Sequence, residues 1–186
     1  MKKFHATILI VEDDADDQFM LLRAFRKSGV VDPIQVVDCG NEAIAYMTGD
    51  SKYADRAKFA YPTFIVTDLK MPRGNGFDVL NFLHGHPQWA VIPTVVLSAS
   101  QDLDDIKTSY RLGASSYHVK PSSPQLLSEQ IAVLYSYWNT CEVPEVDITG
   151  KQLPTVSDGK LGQRFDSVGA HRDTGTDSGA SPRPLS

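Results

Sequence analysis

The sequence predicts a doubly wound α/β domain built on a parallel sheet. Three observations lead there. Five short runs rich in apolar and β-branched residues recur over the first 146 positions. The runs are mostly apolar at successive positions, as suits strands covered on both faces. Between them lie stretches whose apolar residues repeat with helical spacing, and strand–helix alternation repeated in this way is the pattern of an α/β domain.

Taken in order, the first strand is predicted over residues 6–11 (ATILIV). A helix over 17–27 follows, with Phe19, Leu22 and Phe25 on one stripe. The second strand is predicted over 34–38 (IQVVD). Asn41 is then placed as the N-cap of a helix over 42–47. A long connection, 49–61, leads to the third strand at 63–67 (TFIVT), and Phe77, Leu80 and Leu83 share a face of the third helix. The fourth strand is predicted at 93–98 (PTVVLS), with Ile106 and Tyr110 sharing a face of the helix after it. The fifth is predicted at 116–119 (SYHV), followed by a helix lined by Leu127, Ile131, Leu134 and Trp138. No internal repeat is visible beyond this rhythm.

Composition narrows the function classes. The chain has 186 residues, 41% hydrophobic and 22% charged, close to an average soluble globule and unlike a wholly disordered or collagen-like chain. No apolar run approaches the ~18 residues of a membrane span. Only six mostly apolar residues follow Met1-Lys2-Lys3-Phe4-His5 before an acidic cluster, so no secretory signal is expected. Cys39 and Cys141 sit in no partner motif, which with the missing signal points to reduced thiols and the cytoplasm. A formal net charge of −5 argues against nucleic-acid binding.

The expected domain is 1–146. Residues 147–186 hold six Gly, three Pro, five Ser and four Thr, no Tyr or Trp, and five Lys/Arg against five Asp. Such a segment buries too little apolar surface to offset its ordering entropy, so it is expected to be a disordered tail rather than an output domain.

In an open parallel sheet, ligands sit beyond the carboxyl ends of the strands. Those positions hold Glu12-Asp13-Asp14 after the first strand, Asp68 after the third, Ser98-Ala99 at the fourth and Lys120-Pro121 after the fifth. Clustered carboxylates repel unless a cation intervenes. A hard divalent ion with oxygen ligands, such as Mg²⁺, fits the set. An ammonium and a hydroxyl beside them suit an incoming anion. Together these groups describe a site that takes a phosphoryl group on a carboxylate nucleophile. No G-x-x-x-x-G-K-[ST] and no G-x-G-x-x-G occurs, so a nucleotide held by this chain is not the expected donor.

Four segments carry a resemblance: Ile8-Leu-Ile-Val-Glu-Asp-Asp14, Thr67-Asp-Leu-Lys-Met-Pro72 with Gly76, Val95-Val-Leu-Ser-Ala99, and Tyr117-His-Val-Lys-Pro121. In this order, each at a strand end, they resemble response-regulator receiver domains of the chemotaxis-regulator type, over residues 6–140. The long 49–61 segment, the Asp16-Asp17 pair and the lack of an output module are similar to the small phytochrome-associated regulators.

The resemblance implies a flavodoxin-like, five-stranded parallel sheet in the order 2-1-3-4-5 with five helices. It also implies roles. Asp68 is the phosphoacceptor. Asp13 binds Mg²⁺ directly, Glu12 does so through water, and the Lys70 backbone carbonyl completes the metal set with Asp68. Lys120 contacts a phosphoryl oxygen. Ser98 moves toward the phosphoryl group, and Tyr117 switches with it, remodelling the face of the fourth and fifth helices. The Lys120–Pro121 bond is expected cis. Implied partners are a histidine kinase, of bacteriophytochrome type, or a phosphotransfer protein, together with a downstream protein target.

The sequence departs from the commonest family pattern in that Ser98 stands where Thr is usual. Lys70 and Ser100 hold the two variable positions that tune hydrolysis, so the Lys70 side chain is expected to influence the lifetime of the phosphoryl group. A homodimer or a partner surface along the fourth and fifth helices is expected from Val133, Tyr135 and Tyr137, which fall off the buried stripe.

Blander readings apply elsewhere. Asp16 and Asp17 read as a solvated face, and acids are in any case favoured at a helix start. His5, His84, His86 and His171 lack metal-ligand spacing, and His118 packs or faces solvent. Two rival functions remain. A haloacid-dehalogenase-type enzyme needs a second Asp two places after the nucleophile, where Lys70 stands. A phosphorylation-independent docking module is disfavoured by the intact Glu12, Asp13, Asp68, Ser98 and Lys120 set.

Overall fold

A computed structural model describes residues 7–141. The elements run β1 (Ile8–Val11), α1 (Ala15–Lys27), β2 (Ile34–Val37), α2 (Gly40–Thr48), a 3₁₀ turn (Ser51–Tyr53), β3 (Phe64–Thr67), α3 (Gly76–His84), β4 (Thr94–Ser98), α4 (Leu103–Arg111), β5 (Ser116–Val119) and α5 (Pro124–Trp138). The strands form one sheet in the order β2-β1-β3-β4-β5, parallel throughout. The predicted architecture and strand order are therefore present. The expected tail, 147–186, lies outside the described residues.

The pleat explains the two cores. Successive strand side chains point to opposite faces. Ile8 and Ile10 of β1 join Phe64, Val66, Val95 and Leu97 beneath Leu21, Ala24 and Phe25 of α1 and Leu127, Ile131 and Leu134 of α5. Leu9 and Val11 face the other way and pack with Ile65 against Tyr46 and Met47 of α2 and Val79 and Leu83 of α3. β1, β3 and β4 are buried at every position, whereas β2 and β5 at the edges are largely half-buried.

Two expectations about helices change. The N-cap of α2 is Cys39, not Asn41, and Cys39 supplies no side-chain hydrogen bond. The first N–H groups of α2 are taken instead by the loop after β3: Gly40 N–H donates to the Gly74 carbonyl (2.7 Å) and Asn41 N–H to the Arg73 carbonyl (3.2 Å). In α4, Ile106 and Tyr110 do not form a buried stripe; Ser109 is the helix's buried residue and Tyr110 is exposed. The long 49–61 connection is ordered around Arg56. Its guanidinium donates to the carbonyls of Tyr46, Met47 and Phe59 and lies over the Tyr46 and Tyr61 rings. It thereby satisfies two carbonyls in the last turns of α2, which a helix end otherwise leaves open.

Candidate functional site

All five strands are parallel, so their carboxyl ends share one edge. Val11 lies opposite Thr67 in the β1–β3 register, and Ser98 lies opposite Val119 in the β4–β5 register. Glu12, Asp68, Ser98 and Lys120 follow or occupy those positions. Residues more than a hundred apart in sequence meet there because the sheet puts β1 and β3 in its middle.

Lys120 is the hub. Its Nζ is 2.6 Å from Glu12 Oε2, 2.8 Å from Asp17 Oδ2 and 3.2 Å from Asp68 Oδ2, and its backbone N–H donates to the Ser98 carbonyl (2.8 Å). Burial works to lower its pKa, but the hydrogen bonds to Asp17 and Glu12 prevail and hold it above the ordinary lysine value. The ammonium is therefore charged throughout the neutral range. Glu12 is 2% exposed. Burial pushes its pKa up to about 7, against the opposing pull of Lys120.

Asp68 is buried, and its carboxylate is oriented on both sides. The Leu69 N–H donates to Oδ1 at 2.5 Å, while Oδ2 faces Lys120. The strand end behind it is fixed by the Asp68 N–H on the Val11 carbonyl and by the Thr67 hydroxyl on the Asp68 carbonyl. Gly76 lies against this backbone: a Cβ there would collide with the Asp68 carbonyl.

The structure brings the three carboxylates of the predicted metal set together. One carboxylate oxygen each from Glu12, Asp13 and Asp68 lie within 4.8 Å of one another. The donors are all oxygen, two of the residues are buried and Asp13 faces solvent, so the set suits a hard divalent cation that keeps part of its water shell. Asp14 has a different task. Its Oδ1 accepts from the N–H groups of Asp16 and Asp17 (both 2.9 Å), capping α1.

Ser98 is buried at the end of β4, and its Oγ accepts weakly from the Ser100 N–H (3.4 Å). Tyr117 is half-buried, and its hydroxyl donates to the Ser100 carbonyl (2.9 Å). The Lys70 N–H approaches Asp68 Oδ1 at 3.4 Å, but the Lys70 side chain turns away. Its Nζ pairs with Asp105 Oδ2 at 2.7 Å, the same oxygen that receives the Ser100 hydroxyl at 2.6 Å. That lysine holds the Asp105 carboxyl below its ordinary pKa. His118 packs toward α5, its Nε2 3.2 Å from Ser116 Oγ and its Nδ1 3.5 Å from the Gln130 amide nitrogen.

Two expectations are corrected here, and one residue is added. No peptide bond among the described residues is cis, so Lys120–Pro121 is trans. Trans is the intrinsic preference of an X–Pro bond by about 0.5–1 kcal/mol, and Lys120 reaches its three carboxylates without leaving it. Asp17 is not part of a solvated face. At the third position of α1, it points back to Lys120, while Asp16 stays exposed. Asp105 was not singled out by the sequence at all. Its signal is weak, an acid in the first turn of α4 that faces a lysine across a loop.

A family model described as response regulator receiver domain matches residues 8–132. Response regulator Rcp1 of Synechocystis is 28% identical over 131 residues, covering 70% of this chain and 87% of that protein. Its Mn²⁺-bound crystal structure superposes with a TM-score of 0.69 at 27% identity, over 75% of this chain and 99% of that one. The phosphorylated cyanobacterial phytochrome response regulator RcpA gives a TM-score of 0.71 at 31% identity, over 76% and 99%. Response regulator RPA3017, in red light signaling of R. palustris, gives 0.71 at 29%, over 75% and 99%.

Proposed function

The chain belongs to the response regulator receiver domain family, and from this membership we propose that it is the phosphoacceptor switch of a two-component pathway, modified on Asp68. The carrying observation is the Lys120 ammonium set between Glu12 and Asp68 at the edge shared by β1, β3 and β5. An Asp68 carboxylate oxygen attacks the phosphorus of a phosphohistidine. The P–N bond breaks with its electron pair going to the imidazole nitrogen, and an acyl phosphate is left on Asp68. Lys120 holds a positive charge beside the oxygens of the transferring group, where such charge is most effective. Leu69 N–H keeps the other carboxylate oxygen in place. Glu12, Asp13, Asp68 and the Lys70 carbonyl are the groups that would hold Mg²⁺; when bound, the ion neutralises charge on the phosphoryl oxygens.

The phosphoryl donor in this reading is a histidine kinase of the bacteriophytochrome type, or a phosphotransfer protein. The likeness to RcpA and to a red-light regulator supports it. Ser98 and Tyr117 carry the change to the α4 and α5 face, which a downstream protein or a second copy then binds. A cytoplasmic location goes with this role. No described helix is long and apolar enough to cross a membrane.

Incubation with phosphoramidate and Mg²⁺ is expected to add the mass of one phosphoryl group, removed by hydroxylamine and absent in Asp68→Asn. A gain that survives Asp68→Asn rejects Asp68 as acceptor. No gain at all returns the chain to the docking-module reading.

A further inference from the structure

We propose that Asp17 is a positioning residue for Lys120: its carboxylate occupies the third hydrogen bond of the ammonium before phosphorylation and gives that bond up to the phosphoryl group arriving on Asp68. The inference rests on the phosphoacceptor reading above and names a residue of the same site.

An ammonium has three N–H donors. Lys120 spends them on Glu12 Oε2, Asp17 Oδ2 and Asp68 Oδ2. A phosphoryl oxygen can be bound only by displacing one of these, and burial decides which. The Glu12 side chain is almost wholly enclosed, and releasing it would leave a buried carboxylate without its cation, a costly state. Asp68 carries the phosphoryl group itself. The Asp17 side chain is 31% exposed, so water replaces its lost partner at least cost. There is room for it to leave. Asp17 and Lys120 help line a cavity of about 480 Å³, which Met20 and Leu21 of α1, Pro121, and Leu127 of α5 also line.

Until it leaves, Asp17 opposes the reaction in two ways. It competes for the ammonium, and it adds a negative charge where an anionic donor must approach. The reaction forms the Asp68 Oδ–P bond and breaks the P–N bond of the donor, with the nitrogen released as the protonated amine. Asn in place of Asp17 keeps a hydrogen-bond acceptor for Lys120 but drops the charge. It therefore weakens the competitor without unseating the lysine.

The test is a time course of acyl-phosphate formation by intact mass, with phosphoramidate as the probe at fixed Mg²⁺. Asp17→Asn and Asp17→Ala should raise the rate by roughly two- to fivefold, the scale of one partly exposed ion pair. The change should appear as a lower half-saturating donor concentration, and Asp17→Glu should bring the rate back toward wild type. A role confined to supporting the first turn of α1 predicts instead an equal or lower rate with a lower Tm. Unchanged or slower formation in Asp17→Asn, with wild type modified normally, overturns the proposal alone. Wild type that takes up no phosphoryl group overturns the phosphoacceptor reading and this proposal with it.

Discussion

Glu12 and Asp17 show how position rather than residue type sets a carboxylate's role. Both touch the same ammonium, but Glu12 is sealed in. Its folded pKa of about 7 stands above the ordinary carboxylate value of 4.5, because burial disfavours the charged form more than Lys120 favours it. Between those two values the folded chain binds the extra proton, so stability from this group is fully present below about pH 4.5 and is lost as pH rises through about 7. Half-buried His118 works in the opposite sense, since burial holds its pKa down and favours the folded state as pH rises. The comparison that isolates Glu12 is therefore wild type against Glu12→Gln. In metal-free buffer, the Tm of wild type relative to Glu12→Gln should fall by several degrees between pH 5 and pH 8, a loss on the order of 2 kcal/mol. Parallel thermal-melt curves across that range would remove the assignment.

At the scale of elements, the strands were legible because burial on both faces leaves a run of apolar residues with no polar partner face. Residues 8–11, 64–67 and 94–98 are buried at each position. The buried stripe of α5 was legible from Leu127, Ile131 and Leu134 for the same reason. What failed to show were features made by tertiary contact. The start of α2 is bonded by Arg73 and Gly74, more than thirty residues away, so no local N-cap signal marks it. Likewise, Asp17 looks like any acid at a helix start until β5 delivers Lys120 to it. The loop that serves α2 also crowds Asp68, the proposed phosphoacceptor, through Gly76, whose position admits no Cβ without moving the Asp68 carbonyl. Gly76→Ala should cost about 1–3 kcal/mol, as overpacking does, and should slow phosphoryl transfer by displacing Asp68. Gly85, one residue past α3, has only ordinary contact distances around its missing Cβ and a helical backbone. Gly85→Ala is thus the matched control, expected within ±0.5 kcal/mol. Equal denaturant midpoints for the two variants would show that the close approach at Gly76 carries no strain.

On the scale of the whole molecule, the strand edge that holds Asp68 and Lys120 is polar, whereas most exposed large apolar side chains sit on two helices. Among the described residues, seven large hydrophobic side chains are exposed, and Leu103, Tyr110, Leu126, Val133 and Tyr137 belong to α4 and α5. Helical geometry puts Leu103 and Tyr110 on one line along α4, and Leu126, Val133 and Tyr137 on one line along α5. Exposed apolar groups gathered in this way mark interfaces more than scattered ones do. Tyr117 connects the two regions. It rests beside α4, donates its backbone N–H to the Tyr110 hydroxyl oxygen (3.2 Å) and its own hydroxyl to the Ser100 carbonyl. Ser100 in turn bonds Asp105, the carboxylate that holds Lys70 two residues beyond Asp68. In the function proposed above, a charge placed on Asp68 acts on a chain of contacts that ends at the first turn of α4, and the apolar lines on α4 and α5 are the surface expected to present its effect to a second copy. Light scattering after size exclusion, with and without phosphoramidate and Mg²⁺, should give a two-chain mass in at least one state and a larger dimer fraction in the phosphorylated one. Val133→Glu with Tyr137→Glu should return both states to one chain while leaving acyl-phosphate formation on Asp68 intact, because neither residue is among the groups that contact Lys120 or Asp68. A wild-type chain that stays monomeric in both states removes self-association and leaves this face to a different protein.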